Sequence, residues 1–296
     1  MNDAFSRCHP AVNFFFFAGS IGCAMFLTHP VFLGISLLAG AIYHGYLRKK
    51  GASKGGILWL FPTALLVALI NPLFSHQGAT ILTYFKNGNP LTLESIVYGG
   101  IMGTLFASVI LWFGCYNAVM TSDKFLALFG RVIPKLSLVL SMALRFVPKF
   151  RAQLNRITEG QRCIGRDQKS GNLLQRAKNG LHILSILITW ALESGIETAD
   201  SMRSRGYGLK GRSSFQLYRL DTRDRVLLGI MGGLAAVAAA GFFLGAGKVR
   251  YYPSFAVKDV DAFGIVTIFA YAAFLLVPLG LDLWEDLQWR RIQSKI

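Results

Sequence analysis

Charged residues, and acidic ones above all, are scarce in this sequence. Asp and Glu total 15 among 296 residues, fewer than the 23 Phe, and all charged residues together make up 16% of the chain. A soluble domain carries about a quarter charged residues, because its surface must be solvated. Hydrophobic residues reach 53%, and the mean hydropathy is +0.45. This composition excludes soluble, collagen-like, coiled-coil and disordered classes and predicts that most of the chain is solvated by lipid.

Motifs for several kinds of chemistry are also absent. The four cysteines are Cys8, Cys23, Cys115 and Cys163. No two of them form a CxxC pair, so they indicate reduced thiols and neither a disulfide framework nor a metal site. No GxxxxGK[ST] or HExxH occurs, which argues against a phosphate loop and a zinc protease, and no GxSxG lies inside the predicted spans to suggest a serine hydrolase. We therefore expect no cofactor, no bound metal and no catalysis by this chain. His9 and His29 each precede Pro and are interpreted as helix-end residues.

Uncharged stretches define the candidate membrane spans. Asp, Glu, Lys and Arg are missing from 8–47, 55–85, 95–122, 226–247 and 262–281. A spanning helix needs about 20 mainly apolar residues, so each stretch accommodates at least one span. The first is long enough for two short helices, 11–28 and 31–47, because Pro30 breaks a helix. The sequence thus predicts an all-α polytopic membrane protein with about six spans, although a shallow hairpin at 11–47 is an alternative to two full crossings.

Basic residues are concentrated in one polar segment. The chain carries a formal net charge of +16, of which +11 falls between Thr121 and Arg225. Such a cluster in a membrane chain marks the cytoplasmic side and does not indicate nucleic-acid binding. We expect the N-terminus, residues 48–54, residues 121–225 and the C-terminus to be cytoplasmic. The predicted domains are N-terminal spans over 1–120, a cytoplasmic or interfacial helical domain over 121–225, and C-terminal spans with a short tail over 226–296.

The pattern of the polar segment 121–225 predicts amphipathic helices. Ser122-Asp123 is a favourable helix start, and Pro134 interrupts that helix. A second helix is predicted from about Lys149 to Gly165, after Pro148. A third is predicted from about Asn172 to Arg205. These helices are suited to lie against the inner membrane face and to offer their ends to other molecules.

An ordered set of short motifs accompanies these helices. The motifs are His9-Pro10, Thr121-Ser122, Pro134, Arg145-Phe146-Val147-Pro148, Gln161 to Gly165 and Ala199 to Gly208. In that order they resemble the transmembrane T component of energy-coupling factor (ECF) vitamin and metal-ion transporters, the EcfT/CbiQ family. The resemblance covers nearly the whole chain and is densest over 121–208.

The resemblance implies a non-catalytic coupling subunit. Such subunits carry no ATP site and no substrate site of their own. They link two cytoplasmic ABC-type ATPases to a separate membrane protein, the S component, which binds the vitamin or metal ion. Two helices end in an x-Arg-x motif that inserts into grooves on the two ATPases.

Both motifs can be located here. The second is Ser204-Arg205-Gly206, preceded by Arg203. The first aligns as Cys163-Ile164-Gly165, preceded by Arg162, with Ile164 where the family has Arg. Either Arg162 or Arg166 takes over the missing contact, or apolar packing replaces it.

Other interpretations stay open from the sequence. Arg205-Gly206 also fits ordinary C-terminal helix capping, which is compatible with a docking role. A membrane enzyme acting on an anionic substrate at the cytoplasmic face would need a carboxylate cluster, and Glu193, Glu197 and Asp200 are the only candidates. A secondary transporter is expected to show inverted repeats, and the sequence shows none.

Overall fold

The computed structural model describes residues 3–49, 60–75, 78–84, 90–130, 133–166, 172–209, 218–245, 249–251, 256–257 and 262–294. The chain divides into two compact units. The membrane unit comprises Met1–Phe125 and Tyr218–Ile296, and the hairpin unit comprises Leu126–Leu217. Residues 50–54 of the predicted cytoplasmic turn lie outside the described residues.

Ten helices and four short strands make up the described residues. In chain order they are α1 (Ala4–Arg7), α2 (Pro10–Phe26), α3 (Pro30–Lys49), α4 (Leu60–Phe74), β1 (Ile81–Tyr84), β2 (Pro90–Thr92), α5 (Leu93–Val119), α6 (Ser122–Gly130), α7 (Pro134–Cys163), α8 (Leu173–Ser204), α9 (Thr222–Phe243), β3 (Val249–Arg250), β4 (Ala256–Val257) and α10 (Ala262–Gln293). The strands form two antiparallel pairs, β1 with β2 and β3 with β4. The predicted all-α fold is confirmed, since the strands are only short connections.

The membrane unit contains the predicted apolar helices. Helices α3, α5, α9 and α10 are long and apolar enough to cross a bilayer, while α2 and α4 are apolar but shorter. The predicted break at Pro30 is confirmed, because α2 ends at Phe26 and α3 begins at Pro30. The interpretation of His9 and His29 as helix-end residues is also confirmed. Each accepts, on Nδ1, a hydrogen bond from the backbone N–H two residues later.

Small residues allow α4 and α5 to pack closely. A Cβ atom added at Gly99 of α5 would lie 2.4 Å from the backbone oxygen of Ala68, and one at Gly103 would lie 2.7 Å from that of Ala64. In lipid, where the hydrophobic effect does not drive helices together, such close contact is a main source of association. The Gly-x-x-x-Gly spacing therefore fixes the interface between these two helices.

Aromatic side chains and one polar cluster fill the centre of the membrane unit. Phe16 packs edge-on against Phe5 and Trp112, at centroid distances of 5.4 and 5.6 Å. Among them, the Trp112 indole N–H donates to Ser36 Oγ at 3.0 Å, and the Ser36 and Ser108 hydroxyls lie 2.7 Å apart. These bonds satisfy polar groups that lipid could not, and they join α3 to α5.

The hairpin unit corrects one prediction and confirms another. The helix predicted to begin near Lys149 begins at Pro134, and Pro148 lies inside it. Pro134 suits a first helical position because its φ is already fixed. Pro148 costs one hydrogen bond, but the flanking turns stay helical and pack on α8. The predicted third helix is confirmed, with a capping box between Asn172 and Gln175 at its start.

Candidate functional site

The C-terminal end of α7 closes in a defined hydrogen-bonded cap. The Gly165 N–H donates to the Arg162 carbonyl at 3.1 Å, and the Arg166 N–H donates to the Gln161 carbonyl at 2.9 Å. Gly165 has a φ of +77°, a conformation that favours glycine. This pair of bonds around a left-handed glycine is the Schellman motif.

The C-terminal end of α8 closes in the same way. The Gly206 N–H donates to the Arg203 carbonyl at 3.0 Å, and the Tyr207 N–H donates to the Met202 carbonyl at 3.0 Å. Gly206 has a φ of +79°. The cap residue is Arg205 here and Ile164 in α7, and the two have nearly the same backbone conformation, with φ/ψ of −85°/11° and −96°/17°.

The shared geometry sets up a residue-by-residue correspondence between the two ends. The equivalent pairs are Arg162 with Arg203, Cys163 with Ser204, Ile164 with Arg205, Gly165 with Gly206, and Arg166 with Tyr207. Apart from the half-buried Gly206, all these residues are exposed. The structure thus gives the two predicted motifs one conformation, with an aliphatic cap residue on one helix and a cationic cap residue on the other.

The two ends are far apart, because α7 and α8 run in opposite directions. Lys149 Nζ, inside α7, donates to Ser194 Oγ at 3.0 Å. Arg166 follows α7, and its Nη1 lies 3.3 Å from Nε2 of His182, which precedes Ser194 on α8. Arg205 is about 23 residues beyond His182 on the same helix, which at about 1.5 Å per residue is roughly 35 Å. The candidate residues therefore form two separate patches and not one site.

Aromatic packing holds the hairpin together. Phe150 stacks on Phe146 at 5.7 Å and meets Trp190 edge-on at 5.8 Å. The Lys149 ammonium lies 5.4 Å from the centre of the Trp190 ring. A cation over an indole face adds to the packing energy. The crossing point of the two helices is thus fixed at Phe150 and Trp190.

One face of α8 carries an exposed apolar stripe. Its members are spaced three or four residues apart and are Leu181, Leu184, Ile188, Leu192 and Ile196. The spacing places them on one side of the helix. Glu193, Glu197 and Asp200 are also exposed. In the part of the chain that the structure describes, no group of three or more His, Cys, Asp or Glu could hold a metal ion.

Sequence reasoning missed Lys124, which lies in α6 just after the end of α5. Its ammonium is buried and donates to the Ser6 carbonyl, to Ser6 Oγ at 3.2 Å and to the Val119 carbonyl at 2.9 Å. Burial lowers the pKa of Lys124, because a charged group is poorly solvated there. These bonds attach α6, the element through which the chain enters the hairpin unit, to the N-terminal segment.

Comparisons with known proteins identify a matching family and several similar proteins. The CbiQ family, described as "Cobalt transport protein", matches residues 3–216. The chain is similar to the energy-coupling factor transporter transmembrane protein EcfT of Clostridium kluyveri, with 29% identity over 209 residues that cover 66% of this chain and 73% of that protein. The EcfT of Lacticaseibacillus paracasei is 36% identical over 182 residues, 59% of this chain and 69% of that protein. The EcfT of Lactobacillus helveticus is 36% identical over 106 residues, which cover 36% of this chain and only 38% of that protein.

Proposed function

Because the chain belongs to the CbiQ family and is a multi-pass transmembrane component of an ECF transporter, we propose that it couples two cytoplasmic ABC-type ATPases to a separate substrate-binding S component. Vitamins or metal ions are the substrate classes that the family resemblance suggests. The chain has no phosphate loop, so ATP hydrolysis is assigned to the partner chains.

The pair of equivalent, exposed helix ends is the observation that carries this proposal. Two long helices, α7 and α8, end in the same Schellman motif with exposed side chains, and the two ends lie roughly 35 Å apart by the helix rise. The Schellman bonds satisfy the terminal carbonyls internally, so each end can enter a partner groove without leaving them unpaired. Two such ends suit two partner subunits.

Charge suits the α8 end to an acidic groove. Arg205 is exposed at the cap position, and its planar guanidinium can form two parallel bonds with a carboxylate. Arg203, two residues earlier, adds a second positive charge at the negative end of the helix dipole. The contact would also be guided by long-range electrostatic attraction.

The apolar stripe of α8 suits a membrane-embedded partner. Five aliphatic side chains in one row, from Leu181 to Ile196, are exposed within the hairpin unit. Continuous apolar surface of this kind marks a contact with protein or lipid. We assign it to the S component, which must contact the coupling subunit to receive the conformational change.

The orientation and domain limits follow from charge. We infer that the N-terminus, residues 48–54, residues 121–225 and the C-terminus face the cytoplasm of the cell that carries the protein in its plasma membrane. Residues 121–225 hold +11 of the +16 net charge, as the positive-inside rule requires. This segment would be the coupling domain, between spans in 1–120 and in 226–296.

Copurification tests the proposal. The tagged full-length chain is isolated from its own host membranes in mild detergent, and the retained proteins are identified by mass spectrometry. We expect ATPases with phosphate-loop sequences and a small membrane protein, and ATP hydrolysis by the complex but not by the chain alone. Recovery of a chain that transports substrate without any ATPase would contradict the proposal and favour a secondary transporter.

A further inference from the structure

The C-terminal part of α10 extends beyond its apolar stretch. Residues 262–281 carry no charge and have about the length that crosses the hydrocarbon core of a bilayer. Residues 282–293, the α10 extension, continue the same helix by about 18 Å at about 1.5 Å per residue. Leu276 and Leu283, two turns apart on one side of α10, are both exposed, so the lipid-facing side of the span continues into the extension. The extension therefore passes through the headgroup layer of the membrane.

The carboxylates of the α10 extension bond to neighbouring elements. Asp282 Oδ1 accepts a hydrogen bond from the Phe5 N–H at 2.9 Å, and Glu285 Oε1 accepts one from Arg7 at 3.2 Å. The remaining carboxylate accepts a bond from a tyrosine of α3. The acidic charge of the extension is thus directed toward the N-terminal segment and α3.

Two contacts fix the register between α3 and α10. The Phe32 and Tyr271 rings meet edge-on with their centroids 5.6 Å apart, and the Tyr46 hydroxyl donates to Asp286 Oδ2 at 2.5 Å. Since later residues of α3 meet later residues of α10, the two helices run in the same direction. Their C-terminal turns therefore lie side by side, beyond the bond between Tyr46 and Asp286.

Only basic charges follow that bond in the described residues of the two helices. They are exposed, lie in the last turns of α3 and α10, and are Arg48, Lys49, Arg290 and Arg291. Positive charge suits the negative end of a helix dipole. Four like charges at neighbouring helix ends also repel one another, and an anion bound beside them would offset that repulsion.

Exposed tryptophans adjoin these cations. Trp284 is 60% exposed and Trp289 is 53% exposed. Arg291 lies two turns beyond Trp284, on the same side of α10. The indole N–H of Trp289 donates to Glu285 Oε1 at 3.4 Å, which orients the ring. Because indole rings favour the membrane–water interface, the surroundings of the cations suit a lipid better than a soluble anion.

We propose that the ends of α3 and α10 bind the headgroup of an anionic phospholipid. Lys49, Arg290 and Arg291 would pair with its phosphate, while Trp284 and Trp289 would pack on its glycerol backbone and upper acyl chains. Basic side chains between neighbouring spans provide headgroup sites of this kind. The site does not depend on the proposed coupling to ATPases, because all of its residues belong to the membrane unit.

Lipid photolabelling of the purified full-length chain tests the site. The chain is reconstituted in phosphatidylcholine vesicles that contain a small fraction of a diazirine-bearing lipid, either phosphatidylglycerol or phosphatidylcholine. Labelled peptides are then identified by mass spectrometry. We expect residues 282–293 to be labelled at least about fivefold more by phosphatidylglycerol, because even one basic residue near an anionic lipid surface contributes about that much. Equal labelling by the two lipids would overturn the inference.

Variants that remove charge separate a local site from the overall positive charge of the chain. The combined variant Lys49→Gln, Arg290→Gln and Arg291→Gln should label about equally, within about twofold, with the two lipids at residues 282–293. Its matched control removes three exposed cations from the hairpin unit, namely Arg151→Gln, Arg156→Gln and Lys178→Gln. The control should keep the preference for phosphatidylglycerol, and both variants should keep the circular dichroism spectrum of the parent chain. A preference that survives in the first variant, or that falls equally in the control, would contradict a site at the ends of α3 and α10.

Discussion

A single methyl group added to α5 should disrupt the interface with α4. In Gly99→Ala the new Cβ would lie 2.4 Å from the backbone oxygen of Ala68, and 3.1 Å from Cδ of Pro72. Ordinary contacts of this kind are near 3.4 Å or longer, so α4 must retreat by about 1 Å over this turn. The backbone oxygen cannot rotate away as a side chain could, and the interface must therefore open.

The neighbouring glycine supplies a matched control. A Cβ at Gly100 would meet nothing within 4 Å, so Gly100→Ala gains helix propensity without a clash. Because both variants make the same chemical change on the same helix, the propensity gain cancels in their difference. Overpacking typically costs about 1–3 kcal/mol, which is the expected deficit of Gly99→Ala relative to Gly100→Ala.

Unfolding of the purified chain in mixed detergent micelles measures this difference. Far-ultraviolet circular dichroism during titration with a denaturing detergent gives a free energy of unfolding for each variant. We expect the Gly99→Ala midpoint to fall clearly below that of Gly100→Ala, with Gly103→Ala behaving like Gly99→Ala. Equal midpoints for the Gly99 and Gly100 variants would refute the close α4–α5 contact.

Three further predictions concern two buried residues of the membrane unit and the orientation of the chain in the membrane. Lys124→Met should lower the free energy of unfolding by about 1–3 kcal/mol, because buried carbonyl acceptors lose their donor; an unchanged denaturation midpoint would contradict this. Burial raises the pKa of the Cys8 thiol from 9.0 to about 11. The thiol of the unfolded chain therefore ionises at lower pH than that of the folded chain. As a result, the free energy of unfolding falls as the pH rises from 9.0 to about 11, by about 1.4 kcal/mol per pKa unit. Cys8→Ala should lack this fall, and a pH dependence identical to that of the parent chain would exclude the effect. In a cysteine-free background, Tyr84→Cys should react with an impermeant maleimide from outside the cell and Leu209→Cys only after lysis; the reverse pattern would invert the orientation.

Local signals made much of the fold predictable. Pro10 and Pro30 mark helix starts, and Asn172 with Gln175 marks another, because each acts through neighbouring backbone groups. The left-handed glycine after Arg205 similarly marks a helix end. Such signals need no knowledge of distant residues.

Features that depend on distant partners were not predictable. The continuation of α7 through Pro148 was missed, because the packing of Phe150 on Trp190 is a contact between helices that the local pattern does not contain. The sequence alone does not distinguish Lys124 from an ordinary basic residue, because its partner Ser6 lies 118 positions earlier in the chain.

At the candidate site, the resemblance to the EcfT/CbiQ family located both motifs but left the role of Ile164 open. The backbone settled its position, because the Schellman bonds of the two ends put Ile164 and Arg205 in equivalent places. The contact between Arg166 and His182 could not have been found from spacing, since it depends on how α7 and α8 pack.

The most direct test of the coupling role is ATPase retention by Arg205→Ala, compared with Arg156→Ala, which removes an exposed arginine about two turns before the end of α7. Losing one partner of a buried charge pair costs about 2–5 kcal/mol, at least a roughly thirtyfold loss of affinity, whereas losing an exposed charge at a helix end costs about 0.3–1 kcal/mol. With membrane levels held equal, we expect Arg205→Ala to lose most of the ATPase bound to α8 and Arg156→Ala to retain it. Full ATPase retention and normal uptake by Arg205→Ala would leave Arg205 as a helix cap only and would contradict the account.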